Sequence, residues 1–172
     1  FSDNHTGWAK EGVAGKLADQ HDVMFVIPDG GYDSWYFDSV WYVTENDLMQ
    51  GTGGESFAPD AAMTRAELVT LLCRLCGGER VTTDTFVDVD SSKWYAEYIG
   101  WAEKSGVFTG TSATAFSPER KITRAEVATA LSRYFDYIEL TIPESDGVLS
   151  AFADADKIAD WAKSHVEALR TT

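Results

Sequence analysis

The chain reads as an all-α fold built from tandem helix–loop–helix repeats. Two observations predict this. First, the segment MTRAELVTLLCRL at 63–75 is written again 59 residues later as ITRAEVATALSRY at 122–134. The register holds upstream without a gap: Trp35-Tyr36 matches Trp94-Tyr95, Gly51-Thr52 matches Gly110-Thr111, Phe57 matches Phe116 and Pro59 matches Pro118. Second, apolar residues recur at helical spacing after the tryptophans, as with Tyr98, Ile99, Trp101 and Ala102 after Trp94. Each repeat is one supersecondary unit that must lean on its copies to bury a core.

Four segments open with an aromatic residue, an acidic turn and a tryptophan: Phe1…Trp8, Tyr32…Trp35, Phe86…Trp94 and Phe152…Trp161. They predict helices over about 8–19, 35–46, 93–105 and 157–170. Trp35, Trp94 and Trp161 begin three of these helices and are expected in the core, with part of each ring left as an apolar wall for a sugar. Gly106 offers a left-handed cap for the third helix, and Asp47 stands at the equivalent place after the second. The stretch VMFVI within 20–34 reads as a short strand or a hydrophobic strap.

A second kind of helix follows Gly-Thr and Phe-x-Pro, over about 64–76 and 123–137. Gly77-Gly78 stops the first, and residues 138–151, with Pro143 and Gly147, form a connector. The chain therefore divides into a half-unit with connector at 1–31, repeats at 32–78 and 79–137, and a connector with a partial repeat at 138–172.

Composition narrows the function. A hydrophobic content of 44% with six tryptophans in 172 residues is ample for a core. No run approaches a membrane span, the first residues do not resemble a signal peptide, and the opening without Met reads as a piece of something longer. The formal charge of −14 argues against nucleic acid, whose binding rests on clustered Lys and Arg, and suits an exported module.

Metal and cofactor chemistry finds no motif. Cys73 and Cys76 have no second cysteine pair, and His5, His21 and His165 are scattered, so the cysteines read as small buried hydrophobes. The acidic openings at Asp88 and Asp154 lack the Gly and Glu that a calcium loop requires. Phosphate-loop and hydrolase motifs are absent, and the chain reads as no enzyme.

The Thr-Arg-Ala-Glu motif carries the sharpest signal. Thr64 with Glu67, and Thr123 with Glu126, have the spacing of capping boxes. That explains Thr and Glu but not Arg65 and Arg124. A cation in the first helical turn is unfavourable by roughly 0.3–1 kcal/mol. Either an ion pair with a carboxylate such as Asp88 or Asp154, or an anionic ligand, offsets the cost. Spacing does not choose between them. Gly51 and Gly110 serve the turn first and backbone approach to a ligand second.

The pattern Phe-x-Asp…Trp-Tyr…Gly-Thr…Phe-x-Pro…Thr-Arg-Ala-Glu resembles the S-layer homology repeat of bacterial cell-surface proteins. The resemblance is strong in both full repeats and partial in 1–20 and 152–170. It implies a pseudo-threefold, three-pronged spindle in which the third repeat here is incomplete. It implies non-covalent attachment of an exported protein to an anionic, often pyruvylated, secondary polymer associated with peptidoglycan, outside the cell at its surface. Arg65 and Arg124 would meet the acid, and Trp35, Trp94, Gly51 and Gly110 would line the groove. Two cations beside the second motif, Arg120 and Lys121, point to the Arg124 site as the tighter one. Self-association through the incomplete repeat, in a structural assembly module, is the alternative.

Overall fold

In a computed structural model, residues 35–53, 56–141, 149 and 152–169 are described. The expected helix at 8–19 and the VMFVI strap lie outside them. The described residues form five α-helices: α1 Phe37–Glu45, α2 Arg65–Cys76, α3 Ala96–Ser105, α4 Arg124–Tyr137 and α5 Asp160–Ala168. A 3₁₀ turn at Ala155–Lys157 precedes α5. No sheet exists among the described residues; two isolated bridges, Gly53 with Ser56 and Thr64 with Lys121, are the only extended pairings there. The chain falls into two compact units, 1–61 and 62–172.

Within the first unit, α1 buries Val40, and Leu48 folds back to donate its N–H to the Val43 carbonyl. Asp47 turns the chain at φ 54°, as Gly106 does at φ 72° in the second unit. The residue between Phe and Pro is also left-handed in each copy: Ala58 at φ 54° and Ser117 at φ 59°. Equivalent residues thus take equivalent strained conformations, and the repeat is one of backbone geometry as well as letters.

The second unit holds the core. Helices α2 and α3 pack on each other, as do α4 and α5. Leu68, Val69, Leu72 and Cys73 of α2 meet Tyr98, Ile99, Trp101 and Ala102 of α3, with Val107, Phe108 and Phe116 from the following loop. The burial of Cys73 agrees with its sequence reading, and both cysteines are free thiols.

The tryptophans that open helices do not enter the core as the sequence suggested. Trp35 is 92% exposed, Trp94 57% and Trp161 56%. Tyr95 takes the buried position in the second copy, and Trp94 sets its ring edge-on against it at 5.2 Å. Adjacent residues at a helix start point in different directions, so only one of a Trp-Tyr pair can face inward. Among the described residues, Trp101 is the tryptophan that does.

The first turn of α2 is tied to the entrance of α4. Residues 62–66 run antiparallel to 118–122, with Ile122 N–H donating to Met63, Arg65 N–H to Arg120 and Ala66 N–H to Pro118. Those bonds occupy two of the amides that a helix start leaves unpaired. The two Thr-Arg-Ala-Glu copies are therefore neighbours in space.

Candidate functional site

Both capping boxes form. Thr64 accepts from the Glu67 amide at 3.2 Å, Thr123 from the Glu126 amide at 3.3 Å, and each glutamate returns a bond to the threonine N–H. Local spacing was enough to predict this.

Arg65 finds its partners in the other copy. Its Nε donates to the Phe116 carbonyl at 2.8 Å, Nη2 to the Thr109 carbonyl at 2.7 Å and Nη1 to the Glu126 carboxylate at 2.7 Å. The rings of Phe108 and Phe116 lie 4.6 and 4.8 Å from the guanidinium carbon. The side chain is 3% exposed. Burial depresses the Arg65 pKa, and the Glu126 charge pulls it back. Asp88, one of the expected partners, instead accepts the Phe116 and Ser117 amides at 2.8 and 2.7 Å, holding the loop that receives Arg65. That gives the Phe-x-Asp motif a structural task.

Glu126 is shared more widely. One oxygen accepts from both Arg65 and Arg120, while the other accepts the amide and hydroxyl of Thr123. Burial raises its pKa, but the hydrogen bonds from Arg120 and Thr123 and the charge of Arg65 outweigh it, and the pKa lies below its ordinary value.

A groove of about 420 Å³ opens here, within the second unit. It is lined by Arg65, Phe108, the Thr109–Thr111 loop, Arg120, and Glu126, Thr129, Ala130 and Arg133 along α4, with Trp161 from α5. Its volume lies in the range of roughly 300–1,000 Å³ usual for small-molecule sites. Gly110 is required in the wall, since a Cβ there would lie 2.5 Å from the Ser112 carbonyl oxygen and 2.7 Å from Phe86. Arg120 is exposed, and Arg133 is half-buried with no side-chain hydrogen bond or ion pair among the described residues. Three guanidiniums against the Glu126 carboxylate leave the lining net positive on a chain of −14.

Among the described residues, no group of three or more His, Cys, Asp or Glu is placed to hold a metal, and no helix is long and apolar enough to cross a membrane.

Residues 29–69 and 85–128 match the family model of the S-layer homology domain. Both repeats belong to that family. The S-layer homology (SLH) segment is 35% identical over 130 residues to the Surface-layer 125 kDa protein of Lysinibacillus sphaericus, covering 76% of this chain and 10% of that protein. It is 31% identical over 121 residues to the S-layer protein sap of Bacillus anthracis, covering 69% and 15%. It is 28% identical over 127 residues to the Cellulosome-anchoring protein of Acetivibrio thermocellus, covering 71% and 28%. The chain thus spans a small part of each relative's length.

Of the SLH residues expected to line a groove, Arg65 and Gly110 come together in one. Trp94 and Arg124 are absent from its lining, and Trp35 and Gly51 belong to the first unit. Arg124 is exposed and makes no side-chain hydrogen bond or ion pair among the described residues. Sequence reasoning missed Arg133, and it expected Trp161 in the core with part of its ring left as a wall, whereas Trp161 is more than half exposed on the lining. Glu126, Ala130 and Arg133 fall at i, i+4 and i+7 on α4, and that stripe was the available signal. Arg120, read as an adjunct of Arg124, belongs with Arg65 instead.

Proposed function

We propose that the chain is a non-catalytic anchoring module that holds a larger exported protein to an anionic, pyruvylated secondary cell-wall polysaccharide at the bacterial surface. The observation that carries this reading is the net-positive groove on a strongly acidic chain, with Trp161 exposed in its wall. Its floor comes from the Arg65 motif of one repeat and its walls from the next repeat and the final half-unit. The names of the relatives, which include surface-layer and anchoring proteins, support the same direction. Recognition uses charge-assisted hydrogen bonds to the acid, with apolar contact to a sugar ring.

One observation favours the alternative, a structural assembly module. Arg65 already holds three protein acceptors, as an arginine that only links repeats would. Co-sedimentation with peptidoglycan sacculi, before and after removal of their secondary polymer, separates the two. Polymer-dependent sedimentation is expected. Sedimentation indifferent to the polymer, together with concentration-dependent oligomers in velocity ultracentrifugation, would favour assembly.

A further inference from the structure

We infer that this chain joins its own copies head to tail, with Arg124 of one molecule entering the 49–58 loop of the next. The contact uses neither the groove nor the final half-unit, and it stands whether or not a polymer is bound.

The joint at Arg65 is the pattern for it. There the guanidinium crosses into the 108–117 loop, takes the carbonyls of Thr109 and Phe116 and lies against the rings of Phe108 and Phe116. Such a joint has two halves, an arginine and a loop that receives it. Each repeat carries both halves, because the motif words recur at an offset of 59 residues. The joint at Arg65 consumes one arginine and one loop. Arg124 and the 49–58 loop are the other pair.

That loop repeats the receiving one in its backbone. Thr52 N–H donates to the Ser56 carbonyl at 2.7 Å, and Thr111 N–H to the Ala115 carbonyl at 2.8 Å. Both threonine hydroxyls reach those same carbonyls at 3.2 Å. A Cβ on Gly51 would stand 2.5 Å from the Ser56 oxygen, as one on Gly110 would stand 2.6 Å from that of Ala115. The turn that presents the Thr109 and Phe116 carbonyls to Arg65 is thus built again at Gln50 and Phe57. Among the described residues, nothing donates to those two carbonyls. The apolar surface beside them is less covered too: Phe108 is 4% exposed and Phe116 wholly buried, whereas Met49 and Phe57 are only half-buried.

Arg124 is the matching half. It is exposed and makes no side-chain hydrogen bond or ion pair among the described residues. Charge directs the meeting. Residues 35–61 hold five carboxylates and no Lys or Arg, whereas Arg124 follows Arg120 and Lys121. The partner is a second copy because one chain supplies both halves. The halves are different surfaces, so the contact is heterologous and adds copies in a row unless its rotation closes a ring.

Sedimentation velocity over a concentration series, without polymer, is the test. It compares wild type, Arg124→Glu, Gln50→Lys and the remote, charge-matched change Lys104→Glu, with thermal melts verifying that each is folded. Arg124 and Gln50 are both exposed, and a carboxylate suits the first turn of a helix, so melting temperatures should hold. Wild type and Lys104→Glu are expected to associate as concentration rises. Arg124→Glu and Gln50→Lys should each associate at least about tenfold more weakly. An equimolar mixture of those two should recover a heterodimer, because each copy keeps the half that the other has lost. Wild type that stays monomeric at every concentration, single variants that associate as wild type does, or a mixture no more associated than its components would each overturn the inference. A monomeric wild type that loses melting temperature on Arg124→Glu would overturn it as well, by placing that arginine within its own chain.

Discussion

The guanidinium of Arg65 and the carboxylate of Glu126 join the arginine of one Thr-Arg-Ala-Glu copy to the glutamate of the next at 2.7 Å. The cost of a cation at the start of α2 is met by a carboxylate that already caps α4. The two copies of the motif therefore act on each other, and changing one residue is felt in both.

Arg65→Ala should destabilise the chain by about 2–5 kcal/mol, because it leaves two carbonyls in the interior without their donor and Glu126 with Arg120 alone as its cationic partner. Arg124→Ala, at an exposed position with the same motif around it, should change stability by no more than about 0.5 kcal/mol. Urea unfolding of the two variants measures the contrast. Equal losses would show that Arg65 is not held as described.

Acid should unfold the protein partly through Glu126. Its folded-state pKa lies below the ordinary 4.5, so its contribution is complete above 4.5 and is lost as the pH falls through the lower folded value. Glu126→Gln should be less stable at neutral pH and show a flatter decline of stability below pH 4.5. Melting temperatures taken from pH 7 downward would reveal it; parallel curves for variant and wild type would refute the linkage.

Gly100→Ala reverses the usual helix rule. An exposed glycine in a helix interior gains about 1 kcal/mol on becoming alanine. At position 100 a Cβ would stand 1.9 Å from the Val81 carbonyl oxygen, where the 79–82 segment crosses α3 and Val81 donates to Glu97. A loss of roughly 1–3 kcal/mol is expected, since neither backbone can yield without breaking that bond. Chemical denaturation checks the sign, and a gain would mean that the crossing is loose.

The Cys73 thiol should be inert while the protein is folded. Burial pushes its pKa up to about 11, and Cys76 nearby adds to the rise. At pH 8 little thiolate exists, and the sulfur is shielded. Mass-resolved iodoacetamide labelling should leave Cys73 unmodified until denaturant is added. Rapid labelling of Cys73 in the native state would contradict its place in the core.

What the sequence disclosed was what depends on neighbours along the chain. Helix starts, both capping boxes and the equivalence of Asp47 with Gly106 follow from spacing within a turn or two. The partner of Arg65 was hidden because Glu126 had a sufficient local explanation in its own cap, and nothing in the spacing shows that its other oxygen is spoken for. The placement of Trp94 was hidden for a different reason. In a Trp-Tyr pair both residues are apolar enough for a core, and only the angle at which α3 meets α2 decides for Tyr95. Arg120 shows the limit most plainly: adjacent in sequence to one motif, it lines the groove of the other.

A groove whose floor is lent by one repeat and whose walls come from the next belongs to a junction rather than to a unit. Junctions do not accumulate as units do. An open row always has one fewer junction than repeats, so growing from two repeats to three doubles the grooves while adding only half as much chain again. A row that closes on itself has as many junctions as repeats. On the anchoring reading proposed above, duplication in an open row raises the number of handholds on a polymer faster than it raises mass, and simultaneous handholds multiply residence time.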